Sequence, residues 1–152
     1  MGWNKRPIYD GHNLIQKYSD IILVTIGYRI GITGFVNLTS INGGEEYKSS
    51  GNLGLLDQIC ALQWIQKNII NFGGNPDKVT IIGESAGAGS VSLLPLINGT
   101  EGLFKRIIAE SGSINLSFST EETKIFTEKL ISESKKKNLA DLVELSEEKL
   151  KK

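Results

Sequence analysis

The chain has a single cysteine, a single histidine and three prolines among its 152 residues. One cysteine, Cys60, rules out an internal disulfide and any zinc cluster built on cysteines. It falls in a helical pattern, and free cysteines behave as small hydrophobes, so it is expected to be packed inside. Excess charge is missing too: 17 lysines and arginines stand against 17 aspartates and glutamates. With no net field, nothing draws nucleic acid or an acidic membrane surface. Neither a cleavable signal peptide nor a membrane span is expected within these residues. The longest apolar run, residues 21–26, is of strand length and is interrupted by Thr25. Met1-Gly2 is not a myristoylation start, because Arg6 stands where Ser or Thr is needed. The tripeptides beginning at Asn37, Asn98 and Asn115 match the glycosylation acceptor pattern, which means nothing without secretion. Localisation stays open, since a signal peptide would lie upstream of Met1. Repeats and low-complexity segments are absent from the sequence.

What is there fits one domain, or part of one, with a core of ordinary size. The 17 glycines are on the rich side for a globular chain. The organising stretch is residues 79–88, Val-Thr-Ile-Ile-Gly-Glu-Ser-Ala-Gly-Ala. A β-branched apolar run ends in Gly83-Glu84-Ser85-Ala86-Gly87, and small residues lead into a helical pattern. That is the strand, sharp turn and helix of a nucleophile elbow. Such a turn strains Ser85 and holds its hydroxyl clear of the sheet edge, while the helix that follows aims free N–H groups at the reacting centre. Gly83 and Gly87 are expected to flank it because a side chain at either place would collide as the backbone folds back. The five-residue pattern arises by chance in about one sequence of this composition in six, so its flanking strand and helix give it weight.

In chain order, residues 1–18 read as polar and irregular, punctuated by Pro7 and Gly11. Residues 21–28 are almost continuously apolar, the pattern of a strand buried on both faces of a parallel sheet. Residues 29–51 hold Gly31, Gly34, Gly43 and Gly44 and read as a long loop, expected to wall the active site. Residues 52–71 are the clearest helix. There Leu55, Ile59, Leu62, Gln66 and Ile69 recur at four- and three-residue spacing, all apolar but Gln66. Gly73-Gly74 ends the helix, and Asn75-Pro76-Asp77 turns the chain into the elbow strand, completing a right-handed βαβ unit. The post-elbow helix runs to about Leu94, where Pro95 stops it. Residues 105–110 read as a third parallel strand. Ser119 and Glu122 have capping-box spacing and open a helix with Phe126 and Leu130 on one face. The lysines at 135–137 read as a solvated face, and Ser146 as the cap of a short last helix stapled by Leu145 and Leu150.

Several of these segments resemble one known family. They are Pro7-Ile8-Tyr9-Asp10-Gly11, Tyr28-Arg29-Ile30-Gly31, Gly34-Phe35, the run 51–58, Ala61-Leu62-Gln63-Trp64-Ile65, the run 72–77, the elbow, and Ala109-Glu110-Ser111-Gly112. Their order and approximate spacing are similar to those of the type-B carboxylesterases, the cholinesterase-like branch of the α/β-hydrolases. The match covers almost the whole chain, even residues 142–150, and is far more specific than the elbow alone. It implies an α/β architecture: a single partial α/β-hydrolase domain over 1–152, with a mostly parallel sheet and flanking helices, incomplete at both ends.

The resemblance further implies a serine carboxylesterase that acts on a small-molecule ester without a cofactor or metal. Ser85 would attack the ester carbonyl and form an acyl-enzyme that water hydrolyses, with the N–H of Ala86 as one oxyanion donor. The family's other donors lie on a glycine run upstream of the Tyr-Asp-Gly segment, and the chain starts too late for it. Gly2 matches either a glycine just beyond that run or its last member. Glu84 matches a residue that borders the site with Gly83 and Gly87 and helps balance positive charge on the family's histidine. A structural acceptor for backbone N–H groups is an equal reading of it. Arg29 and Asp57 fall where the family places a buried salt bridge between strand end and long helix.

The departures lie downstream. An α/β-hydrolase triad runs Ser, acid, His along the chain, and the family's acid and histidine lie beyond the position of Lys152. His12 precedes Ser85, so chain order disqualifies it as the base and it is expected at the surface. No carboxylate after Ser85 matches the acid position. An esterase completed by other segments is the leading expectation. The alternatives are a non-catalytic cholinesterase-like binding protein, a group that commonly lacks the elbow serine, and an inactive truncated fragment. Three strands with bare edges and uncovered faces lead to the expectation that the chain alone is poorly soluble or needs the rest of the domain.

Overall fold

The computed structural model describes residues 7 and 10–144. Its helices and strands are α1 (His12–Lys17), α2 (Gly31–Phe35), α3 (Leu53–Asn68), β1 (Thr80–Glu84), α4 (Ala86–Leu93), β2 (Arg106–Glu110), α5 (Thr120–Ser134) and α6 (Leu139–Val143). The chain divides into two compact units. One takes the residues up to Tyr28 together with Asp57–Leu116, and the other takes Arg29–Leu56 with the residues from Ser117 on.

The first unit is built on a stripe of α3. Ile59, Leu62 and Ile65, continued by Ile69 in the 3-10 turn that follows, are buried at three- and four-residue intervals. They meet Ile81 of β1 and Val91 and Leu94 behind the elbow. The polar residue in that stripe has a structural reason. Gln66 lies between the two connections that bracket the sheet, and its Nε2 donates to the carbonyls of Pro76 (2.9 Å) and Leu103 (3.0 Å). Gln66→Leu keeps the volume and strips both carbonyls of this donor, so a loss of about 1–3 kcal/mol in a urea titration is expected. Gly73 ends the helical segment with φ 81°, a left-handed conformation that glycine adopts without strain, and its N–H reaches the carbonyls of Ile69 and Ile70. Asn75 then turns the chain by accepting from the N–H of Asp77 at 2.8 Å.

β1 and β2 pair in parallel, from Thr80 opposite Arg106 to Glu84 opposite Glu110. Ile81 faces the core, whereas Ile82, Ile107 and Ile108 are exposed. Among the described residues this sheet has two strands. The strand expected over 21–28 does not form: those residues pair with no strand among the described residues, and Ile21, Ile22, Leu23 and Val24 are exposed. An apolar run becomes a parallel strand only when neighbours take its backbone groups and layers cover both faces. Residues before Tyr18 are not irregular throughout, because α1 forms there. Cys60 is exposed, not packed inside. It lies one residue from Ile59, about 100° round the helix and off the buried stripe.

The second unit shows that 29–51 is not a plain loop. It contains α2 and 3-10 turns at Leu38–Ser40 and Ser50–Asn52. Gly34 and Gly44 are buried and abut the main chain of Arg29 and of Leu38 respectively, so these glycines permit close folding rather than slack. The capping box is present: the N–H of Ser119 donates to Glu122 Oε2 (2.7 Å), and that of Glu122 to Ser119 Oγ (3.3 Å). Phe126 is exposed, and the residue of α5 that is buried is Thr127, whose hydroxyl donates to the carbonyl of Asn37 at 3.0 Å. Asn138 caps α6 by accepting from Asp141 N–H. The expected cap at Ser146 with Leu145 and Leu150 lies outside the described residues, as do Gly2, Ile8 and Tyr9.

The Ser119 N–H (2.7 Å) and the Ser119 hydroxyl (2.8 Å) both donate to Glu122 Oε2 and hold its carboxyl below its ordinary pKa. A lowered folded-state pKa stabilises above the unfolded value and is lost as pH falls through the folded one. Urea midpoints should therefore drop between about pH 5 and pH 3, the carboxylate range, and part of that drop should vanish in Glu122→Gln. An unchanged pH slope in that variant would refute the linkage.

Candidate active site

β1 delivers the chain to Ser85, which has φ 54° and ψ −116°, and α4 begins at the next residue. A positive φ is rare for a residue with a Cβ and costs on the order of 1–3 kcal/mol, so the surroundings must enforce it. They do so through both main-chain polar groups. The Ser85 N–H donates to the carbonyl of Glu110 at 2.9 Å, and its own carbonyl accepts from the N–H of Gly89 at 3.1 Å. That second bond is the first of the helix, so the N–H groups of Ala86, Gly87 and Ala88 precede intrahelical bonding and sit at the positive end of the helix dipole.

The two flanking glycines behave differently. A Cβ on Gly83 would fall onto the carbonyl group of Gly87 and lie 2.8 Å from the nitrogen of Ala88. At Gly87 a Cβ would meet nothing within 4 Å. The expected collision is thus present at Gly83 and absent at Gly87. Gly83 lies under the returning first turn of α4, whereas the missing side chain of Gly87 projects into open space.

Ser85 is half-buried, and Glu84 and Ala86 are exposed. Glu84 closes β1 in register with Glu110, at the carboxyl ends of the strands, where α/β proteins gather their ligands. His12 is exposed on α1, its Nε2 2.9 Å from Nε2 of Gln16, in keeping with its expected surface place. Arg29 is exposed and Asp57 half-buried. Neither is without a partner. Two clefts of about 200 and 210 Å³ lie in the second unit, one along Thr127 and Lys137 and one along Tyr47 and Leu53. Neither is lined by elbow residues. Among the described residues no group of three or more His, Cys, Asp or Glu side chains is placed to hold a metal ion, and no helix is long and apolar enough to cross a membrane. Reading the sequence missed the contribution of Ser111 and Gly112 to this site. The serine has φ 57°, and the glycine lies against Ser85.

The model of the carboxylesterase family matches residues 1–150. The chain belongs to the carboxylesterase family. Its carboxylesterase relatives include the para-nitrobenzyl esterase of Bacillus subtilis (strain 168), 47% identical over 113 residues, which are 74% of this chain and 22% of that protein. Neuroligin-2 of Mus musculus is 45% identical over 112 residues, 74% of this chain and 13% of that one. Among solved structures, the Geobacillus stearothermophilus carboxylesterase EST55 superposes with a TM-score of 0.91 at 40% identity, covering 99% of this chain and 32% of that chain. The chain therefore spans about a fifth of the Bacillus subtilis esterase, about an eighth of neuroligin-2 and about a third of the solved carboxylesterase. The small parallel sheet with its flanking helices is part of a carboxylesterase α/β-hydrolase fold.

Proposed function

We propose that this chain is the nucleophile-bearing segment of a carboxylic-ester hydrolase, with Ser85 as the nucleophile. The observation that carries this reading is the positive φ of Ser85, fixed from both sides of its main chain between β1 and α4. Strain of this kind persists where the surroundings over-determine it, and it clusters at sites that do chemistry. In this reading Ser85 Oγ gives up its proton to a base as it bonds to the acyl carbon. The alcohol departs with that proton, and water then releases the acid from the acyl-enzyme. The N–H of Ala86 donates to the developing oxyanion, and such a donor is worth about 10²–10³ in rate. Glu84 borders the site beside Gly83 and Gly87 and offsets charge on a protonated base. The acid and the histidine follow Ser85 in chain order on segments outside this chain. The substrate is a small-molecule ester, and the reaction draws on no cofactor.

The deciding experiment is phosphonate labelling of the protein in which this segment is followed in frame by an acid and a histidine. Stoichiometric labelling at Ser85, abolished in Ser85→Ala, is expected. Labelling that survives Ser85→Ala would sink the reading. The similarity to neuroligin-2 favours, as a second reading, a binding protein on the same fold. The intact Ser85 and the several esterase relatives weigh for the hydrolase.

A further inference from the structure

We infer that Gly112 is a positioning residue for Ser85: it lets the exit of β2 close against the elbow and lock the serine in its left-handed conformation. The register brings Glu84 and Glu110 side by side, so Ser85 and Ser111 occupy equivalent places, one step beyond the ends of the two strands. Both have a positive φ, 54° and 57°. The bond from Ser85 N–H to the carbonyl of Glu110 adds one more rung to the ladder. Ser111 takes a left-handed step, and Gly112 then lies against the main chain of Ser85. A Cβ there would fall onto the carbonyl oxygen of Ser85, 3.1 Å from the carbonyl carbon and 2.8 Å from Cβ of Ala88. The turn that follows, Ile114–Leu116, packs against α4 and seals the arrangement.

The obstacle is main chain, which cannot rotate away as a flexible side chain would. With a side chain at 112, the segment 110–112 must retreat, and the carbonyl of Glu110 retreats with it. Ser85 then loses the bond that fixes its amide and can relax to the negative φ that a residue with a Cβ prefers. Its hydroxyl swings away from the N–H groups at the start of α4. Gly112 touches no reacting atom and acts through Ser85. The structural step stands by itself, and its consequence for rate rests on Ser85 being the nucleophile.

The test uses isotope-labelled protein and reads two signals at Ser85: the one-bond Cα–Hα coupling, which reports the sign of φ, and the exchange rate of its amide. In Gly112→Ala the coupling is expected to move to that of an ordinary negative-φ residue and the exchange to quicken at least about tenfold, as for an amide whose bond opens locally. Lys135, also left-handed, should be unchanged. Ser111→Gly, which removes strain without adding bulk, should leave Ser85 as it is. If Gly112→Ala does not fold, Ser111→Val serves, since a β-branched residue at positive φ loosens the same turn with nothing placed under Ser85. Faster exchange at Ser85 supports the lock. An unchanged Ser85 in folded Gly112→Ala, or in Ser111→Val, overturns it. In the protein carrying the acid and histidine, Gly112→Ala should lower kcat about a hundredfold at nearly constant KM, the scale of a misplaced reacting group. A Ser85 signal that shifts as expected, in a wild-type protein that phosphonates never label, would keep the lock and discard the nucleophile.

Discussion

Purified alone, the chain is expected to hydrolyse p-nitrophenyl acetate no faster than its own Ser85→Ala variant, roughly a millionfold below a complete serine esterase. A serine hydroxyl is a weak nucleophile until a base takes its proton. The sequence holds one histidine, His12, which stands on exposed α1 and precedes Ser85, against the chain order of the triad. Members of a triad act as a unit, so losing the histidine alone costs about as much as losing serine and histidine together. Removing Ser85 as well should therefore cost nothing further. This makes the comparison between chain and variant sharper than a rate for the chain alone. What remains, the N–H groups at the start of α4, can polarise a bound carbonyl but has no activated oxygen to deliver to it. A nitrophenol burst stoichiometric with protein, lost in Ser85→Ala, would show that some other group activates the serine.

Legibility in the sequence follows the range of the interactions concerned. The elbow could be read because its determinants are local: β-branched residues for β1, small residues for the first turn of α4, and a glycine at 83 where the two cross. The capping box of Ser119 and Glu122 and the left-handed stop at Gly73 are equally local, and both are present. The apolar run at 21–28 has every property of a strand except neighbours, and neighbours are what make a strand. Cys60 failed for an angular reason, since one step along a helix moves a side chain a quarter-turn or more from the buried stripe. Gln66 looked like a flaw in the α3 pattern until its two carbonyl partners, distant in sequence, were in place. Gly112 was visible only as part of a motif. That a carbonyl of Ser85 fills the space where its side chain would be depends on two strands lying in register, which spacing along the chain does not encode.

The same distinction separates two glycines that the motif treats alike. Gly83→Ala is expected to destabilise the chain by about 3 kcal/mol or more, whereas Gly87→Ala should be neutral or slightly stabilising. Overpacking usually costs about 1–3 kcal/mol because side chains shift to make room. At Gly83 the atoms in the way are the carbonyl of Gly87 and the nitrogen of Ala88, and relief requires the first turn of α4 to move. That helix is held by Val91 in the core, by Leu94 just past its end and by the bond from Gly89 to Ser85. Moving it would break the packing that stabilises the first unit, which places the cost at the upper end. Against a total stability of about 5–15 kcal/mol for an ordinary domain, a loss of that size should bring the urea midpoint of Gly83→Ala well below that of the parent. At Gly87 the added methyl meets nothing, and alanine is favoured over glycine within a helix by about 0.8–1 kcal/mol. A glycine that folding does not require calls for another reason, and on the proposed reading of Ser85 as nucleophile its place two residues on supplies one: an acyl group approaching the serine would need the space a methyl takes. Gly87→Ala should therefore fold well and, once the acid and histidine are supplied, react slowly. Equal loss of stability in the two variants would mean that both glycines serve the turn and neither serves the substrate.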